Sequence, residues 1–262
     1  MNMNDKFTRL QFIILGSTRT AMSTNEHRRI KATCSEVPQV WNLIMDLGCG
    51  DGRVGNFLTR QGRRIIGADW STTSLRDCKF DCFVCDIRTS WPLAISFDGI
   101  ICAEVLEHLP QEQIESVLTN IRSNCRSGFI ISVPACEPME AHAIECQACR
   151  HYYNCWGHLH YFGCTEDVDR MVGMQAVERI FVPYHGVRPS LLFARWRRTL
   201  GCQAIADNSI CPYCGKRPNA RENRSILTRG LLWMLSAAEF LTSFLRPRTG
   251  WFICRYEVHS EA

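Results

Sequence analysis

The sequence predicts an α/β fold: a doubly wound, mostly parallel sheet of seven strands with an inserted cap rich in cysteine and helix. Three observations predict it. From about Leu43 to Pro134, short apolar runs alternate with helical patterns, a β-α-β-α rhythm that requires crossovers and so parallel pairing between covering helices. After Pro134 the rhythm breaks into a Cys/His/aromatic stretch, Cys136–Cys164, and later into a basic segment before one last strand. The 262 residues, 46% of them hydrophobic, suffice for one substantial core and a small appended module.

Taken in order, Asn25–Cys34 reads as a lead-in helix ended near Pro38. Strands are expected near Leu43–Asp46, Arg64–Asp69, Cys82–Asp86, Phe97–Cys102 and Gly128–Val133, then near Val177–Val182 and Trp251–Val258. Helices are expected at Arg53–Gln61, Thr72–Cys78 and Gln111–Asn124, with another after Thr165. The chain then divides into a lead-in segment (1–40), an α/β core (41–185), a basic cap (186–250), and a last core strand with its tail (251–262).

The net charge of +4 is unevenly placed. Between Gly186 and Gly250 eleven Lys/Arg face three acids, a local +8 that leaves −4 elsewhere. Such a segment suits an anionic substrate, a nucleic acid or peripheral contact with a membrane surface, or is simply a solvated basic face. The apolar run Phe12–Leu15 is too short for an export-signal core. With sixteen cysteines, this predicts a reducing cytoplasmic setting and thiols that are buried or bind metal.

The most informative segment is Ile44-Met-Asp46-Leu-Gly48-Cys49-Gly50-Asp51-Gly52-Arg-Val-Gly55. A buried strand runs into a glycine turn that opens a helix, so backbone can approach a ligand closely beside a helix N-terminus. Gly50–Gly55 also spells the dinucleotide pattern G-x-G-x-x-G, but three residues separate it from the strand-ending Asp46. Asp51 would moreover oppose a pyrophosphate.

These residues resemble the first motif of the class I S-adenosylmethionine-dependent methyltransferases, and further motifs follow in that family's order. Asp69 ends the second strand in Gly-Ala-Asp-Trp-Ser, Asp86 the third in Val-Cys-Asp-Ile, and Phe97–Leu109 and Ile130–Pro134 are similar to its fourth motif and fifth strand. The resemblance covers roughly residues 25–183 plus the last strand, and implies a Rossmann-like fold. It assigns S-adenosylmethionine to Asp46, Gly48, Cys49, Gly50, Gly52, Asp69, Trp70, Asp86, Ile87 and Glu104. Asp69 would accept hydrogen bonds from both ribose hydroxyls, Trp70 pack on the adenine, and Asp86 read its amino group; Asp69 and Asp86 could also be ordinary strand-end turn residues.

Methyl transfer needs a positioned acceptor and, where the acceptor carries a proton, a base. The candidates are Glu104, Glu107, His108, His158 and His160. Helical spacing would put Glu104, Glu107 and His108 on one face. Either a histidine is the general base, or the glutamates with His108 and a downstream histidine hold a divalent ion that polarises the acceptor hydroxyl. The second arrangement is similar to the small-RNA 3′-terminal 2′-O-methyltransferases and partly to the ubiquinone-biosynthesis O-methyltransferases.

Two C-x₂-C units, Cys146–Cys149 and Cys211–Cys214, can each present two thiolates, predicting one structural Zn²⁺ on four cysteines with His151, Cys155 and Cys202 in reserve. Cys78, Cys82 and Cys85 have the spacing of a radical-enzyme iron–sulfur site, but two of them lie in an expected strand whose side chains alternate in direction. Ser225–Leu245 reads as an apolar helix with stripes through Leu227, Leu231, Met234, Ala238, Leu241 and Leu245, and through Trp233, Ala237, Phe240 and Phe244. It is too short, with Glu239 too central, for a comfortable membrane span, and suits internal packing, a dimer or surface attachment. The expected function is O-methylation of a small metabolite, sugar or lipid-linked glycan. The alternatives are a metal-assisted RNA 2′-O-methyltransferase, against which no RNA-binding module is recognisable, and a zinc-containing binding module without turnover.

Overall fold

The computed structural model describes residues 22–89, 91, 95–200, 209–217 and 226–258, with side chains from 229 onward in the last segment. Nine strands form a seven-stranded sheet and a separate hairpin. The strands are β1 (Leu43–Leu47), β2 (Arg64–Asp69), β3 (Asp81–Val84), β4 (Phe97–Ala103), β5 (Cys125–Ala135), β6 (Ala143–Glu145), β7 (Tyr152–Asn154), β8 (Glu178–Pro183) and β9 (Gly250–Glu257). The large sheet runs β3-β2-β1-β4-β5-β9-β8. Its first five strands are parallel, and β9 lies antiparallel between β5 and β8. This is the predicted seven-stranded, mostly parallel Rossmann-like sheet.

Side-chain alternation along the central strands explains why both faces need helices. Met45, Ile100, Ile131 and Cys254 point into one core layer, while Ile44, Ile101, Ile130 and Ile253 point into the other. The second layer is closed by α1 (Thr24–Ser35) through Ile30 and Cys34, and by α2 (Arg53–Thr59) through Val54 and Leu58. The first is closed by α3 (Gln111–Asn124) through Ile114, Val117, Leu118 and Ile121, and by α4 (Thr165–Val172) through Val168 and Val172. Ser23 caps α1 by accepting from the Glu26 amide (3.1 Å). Gly173, in the left-handed region with φ 72°, ends α4.

Several expectations change in detail. The helix expected at Thr72–Cys78 is a single 3₁₀ turn, Ser74–Asp77, and β3 begins one residue earlier than expected. Glu104, Glu107 and His108 do not share a helix face. Glu104 leaves β4 with φ 58°, and only Leu106–His108 form one 3₁₀ turn. Pro110 keeps that turn from running into α3, because the residue before a proline is pushed out of helical geometry, and α3 starts at Gln111. The β6–β7 hairpin and α5 (Leu191–Thr199) were not anticipated. The apolar helix is α6 (Ile226–Thr242), continued by a 3₁₀ turn over Ser243–Leu245. Its expected first residue Ser225 and the Leu227 side chain, together with Cys202, lie outside the described atoms.

One buried acid that the motifs do not mark joins α4 to the antiparallel edge. Asp169, 3% exposed, accepts from the Tyr256 hydroxyl (2.9 Å), the Ala176 amide (3.1 Å) and the Arg179 guanidinium. Removing one partner of such a buried network leaves the others desolvated and unpaired. Asp169→Ala is therefore expected to lower the unfolding free energy by about 3–5 kcal/mol in urea titrations; a loss below about 1 kcal/mol would mean the network is not limiting.

Candidate active site

The sheet order reverses between β1 and β4, where neighbouring crossovers leave to opposite faces and open a crevice at the carboxyl ends of the strands. The glycine turn lies there. Gly48, Gly50 and Gly52 have φ of 70°, 54° and 74°, the region that L side chains avoid. Their surroundings differ. A β-carbon on Gly48 would meet Val105 at 2.5 Å and one on Gly52 would meet Cys78 Sγ at 2.8 Å, whereas one on Gly50 would find nothing within 4 Å. Backbone at Gly50 thus borders open space.

Two carboxylates hold this turn. Asp46, at the end of β1, accepts from the Gly55 amide (2.9 Å), and burial pushes its carboxyl up to about 7. Asp69, at the end of β2, accepts from the amides of Gly50 (2.9 Å) and Ser71 (2.7 Å). Burial raises its carboxyl and those amides oppose the rise. The Asp69 oxygens retain acceptor capacity beyond these amide bonds. Cys49 is buried behind the turn, and Trp70 is half-buried beside Asp69. Asp86 has an engagement that the motifs do not signal: Arg88 grips it with Nε on Oδ1 and Nη2 on Oδ2, both at 2.7 Å. Ile87 packs its side chain into the core.

Past β4 the candidate catalytic residues separate. Glu104 turns toward β5 and β9, accepting from Ser132 Oγ (3.1 Å) and Trp251 Nε1 (2.9 Å). Glu107 is fully buried, and among the described atoms neither of its carboxylate oxygens has a hydrogen-bond partner. Burial, and after it the Glu104 charge, holds its carboxyl well above the usual range. One ligand atom each from Glu107, His108 and His158 lies within 4.8 Å of the others. Burial and neighbouring His158 drive His108 down to about 3, keeping its imidazole neutral.

The segment after β7 brings the distant histidines here. The Leu159 amide donates to the Glu107 carbonyl (2.7 Å), and His160 Nε2 meets the Leu109 carbonyl (2.7 Å). His160 thereby anchors the loop and stands outside the Glu107–His108–His158 group. Glu137 is a site residue that sequence reasoning missed, since no spacing marks it. Its Oε2 is hydrogen-bonded to His158 Nδ1, and its Oε1 lies 3.9 Å from His142 Nε2. Burial would raise Glu137, but His158 and His142 outweigh it and hold the carboxylate ionised.

The turn between β6 and β7 carries the first cysteine pair. Cys146, Cys149, Cys211 and Cys214 place their sulfurs within 4.8 Å of one another, with Cys146–Cys214 at 3.5 Å and Cys149–Cys211 at 3.4 Å. Tetrahedral ligation at ~2.3 Å would set sulfurs ~3.8 Å apart, close to what is found. The two C-x₂-C turns have the same shape, each followed by a left-handed residue, Arg150 (φ 65°) and Gly215 (φ 71°). Although burial opposes it, amides of Cys149 and Ala148 and the neighbouring thiols bring Cys146 down to about 6. Of the reserve ligands, Cys155 is buried beside the group and His151 stacks on Tyr213, and neither belongs to it.

Residues 44–128 match the family described as "Methyltransferase domain". The ubiquinone biosynthesis O-methyltransferase of Alkalilimnicola ehrlichii is 30% identical over 77 residues, 26% of this chain and 31% of that protein, so the match spans about a third of the relative's length. A SAM-dependent methyltransferase from Archaeoglobus fulgidus is similar in structure (TM-score 0.49, 14% identity, covering 87% of this chain and 91% of that one). So is a TehB-like SAM-dependent methyltransferase from Corynebacterium glutamicum (TM-score 0.42, 20% identity, covering 60% and 77%).

Proposed function

We propose that the chain is an S-adenosylmethionine-dependent methyltransferase with its cofactor against the Gly48–Gly52 turn, a reading supported by the match of residues 44–128 to the methyltransferase-domain family. The observation that carries this reading is the open space beside Gly50, bordered by the buried Asp69 carboxylate at the sheet's reversal point. The residues fit the cofactor, since a cationic sulfonium and two ribose hydroxyls suit a crevice with carboxylates and no phosphate-binding cation in its glycine turn. When bound, S-adenosylmethionine supplies an activated methyl group. Asp69 accepts from the ribose hydroxyls with its remaining lone pairs. The acceptor is an oxygen of a small metabolite, sugar or lipid-linked glycan, under a cap made by 136–164 and 186–250. His158, oriented by Glu137, takes the acceptor proton, while His108 beside it, held neutral and only weakly basic, lines the site rather than serving as the base. The O-methyltransferase name of the Alkalilimnicola relative agrees with an oxygen acceptor.

A second reading rests on one observation: the buried Glu107 carboxylate, without a hydrogen-bond partner among the described residues, forms with His108 and His158 a donor set for a divalent ion. With Glu104 turned to Ser132 and Trp251, that ion would take three protein ligands rather than four. We also propose that the four clustered cysteines hold one structural Zn²⁺.

Calorimetry tests the cofactor site. Asp69→Ala is expected to weaken S-adenosylmethionine binding by about 1.5–3 kcal/mol, the cost of charge-assisted hydrogen bonds. Gly50→Val, strained at its φ and filling the open space, is expected to abolish binding in a folded protein. Normal affinity in both would remove the turn as the site. Methyl transfer from labelled cofactor into metabolite, lipid and RNA extracts then identifies the acceptor class, and binding without transfer into any extract would favour a non-catalytic module.

Metal analysis tests the rest. Protein never exposed to chelator should carry about one zinc per chain, and a content near zero would refute the cysteine site. Chelation that leaves this zinc in place should leave turnover intact. Loss of turnover restored by Mg²⁺ or Mn²⁺, and abolished in Glu107→Gln, would instead establish the divalent reading and favour an RNA acceptor.

A further inference from the structure

The cap carries an apolar face that the methyl-transfer reading does not use. On α6, Trp233, Met234, Phe240 and Leu241 occupy one side at i, i+1, i+7 and i+8, and Phe244 and Leu245 follow in the 3₁₀ turn. These six side chains are between 57% and 74% exposed. The opposite side packs inward through Leu235 and Glu239. On α5, Leu192, Trp196 and Leu200 form a further exposed stripe at i, i+4 and i+8. Soluble surfaces rarely leave contiguous rings and aliphatic chains of this extent in water.

Charge says what covers this face. Arg188–Leu200 contains no acid, and Ile226–Arg248 contains only Glu239. Glu239 is turned inward, 6% exposed, paired with Arg197 (2.6 Å) and accepting from the Ser190 amide (2.9 Å). Among the described residues the outward surface is thus apolar with cations predominating around it, including exposed Arg229 and Arg248, while exposed Arg195 pairs with the neighbouring acid Glu140 (3.3 Å). A second copy of this face would oppose cation to cation, and a hydrophobic protein groove has no need of a rim in which arginines outnumber acids. An anionic bilayer satisfies both features at once, drawing in the arginines and taking up the rings at the level of the headgroups. Among the described residues no helix is long and apolar enough to cross a membrane, so the helix would lie along the surface. We propose that α5 and α6 form an interfacial platform that seats the protein on an anionic lipid bilayer. The platform acts independently of turnover.

Flotation of the full chain with vesicles tests it. The protein should float with vesicles of about three parts phosphatidylglycerol to seven of phosphatidylcholine and less with pure phosphatidylcholine, and raising salt to ~0.5 M should release it. Trp233→Ser/Phe240→Ser/Phe244→Ser should lower partitioning at least about tenfold, since each ring removes its own burial. Arg229→Glu/Arg248→Glu should lower it on anionic vesicles alone, at least about tenfold from two reversed charges. This pair gives an independent readout should the apolar variant fail to fold. Wild type that stays off anionic vesicles would overturn the proposal: a dimer split by the apolar variant would assign the face to a second copy, and a monomer would assign it to a soluble partner. Equal binding to neutral and anionic vesicles, unmoved by charge reversal, would also overturn it.

Discussion

The constraint on which the rest depends is the backbone of the turn after β1. Three alternate residues must take positive φ so that the chain can leave the centre of a parallel sheet and open α2 within a few residues. Glycine at 48 and 52 is required twice over, by φ and by crowding against Val105 and Cys78. At Gly50 φ alone requires it, and the space left beside it is where a ligand can approach the backbone. Asp46 and Asp69, themselves buried, pin the turn through the amides of Gly55 and Gly50. Burying a carboxylate is costly, and Asp46 shows the cost as a carboxyl raised to about 7. Such an arrangement persists because the sheet on either side over-determines it.

A second level of organisation comes from the loop after β5. It first runs through the β6–β7 hairpin that carries Cys146 and Cys149, and after β7 folds back onto the end of β4 through Leu159–Glu107 and His160–Leu109. The distant Cys211 and Cys214 close on the same point. On the proposed zinc reading the metal fixes the far end of a loop whose near end positions His158 and Glu137, so the cysteines would serve the active site through rigidity rather than chemistry. Glu137 matters in the same way. By binding His158 on one nitrogen it sets the ring's tautomer and orientation, as carboxylates do behind functional histidines generally.

Much of this was legible in the sequence, and the reasons are local. The strands from β1 to β5 are short apolar runs bounded by turn residues, the glycine turn is written in consecutive positions, and the paired C-x₂-C spacing names the cysteines that converge. What the sequence hid was decided by tertiary contact or by a single residue. Helical spacing suggested one face for Glu104, Glu107 and His108, yet Glu104 leaves β4 with a positive φ and the Ser132–Trp251 pair draws it away. Arg88 on Asp86 and Tyr256 on Asp169 join residues whose pairing no periodicity encodes. The β6–β7 hairpin has three-residue strands, too short for an alternation to register.

The claim at the centre is that the open side of the Gly50 turn receives S-adenosylmethionine, with its ribose on Asp69. A crystal structure with S-adenosylhomocysteine tests it most directly. The account requires the ligand in the space beside Gly50, both ribose hydroxyls on Asp69, and the sulfur facing the His108–His158 pair. Ligand density elsewhere, or a saturated crystal in which Asp69 still bonds only backbone amides of the protein, would contradict it.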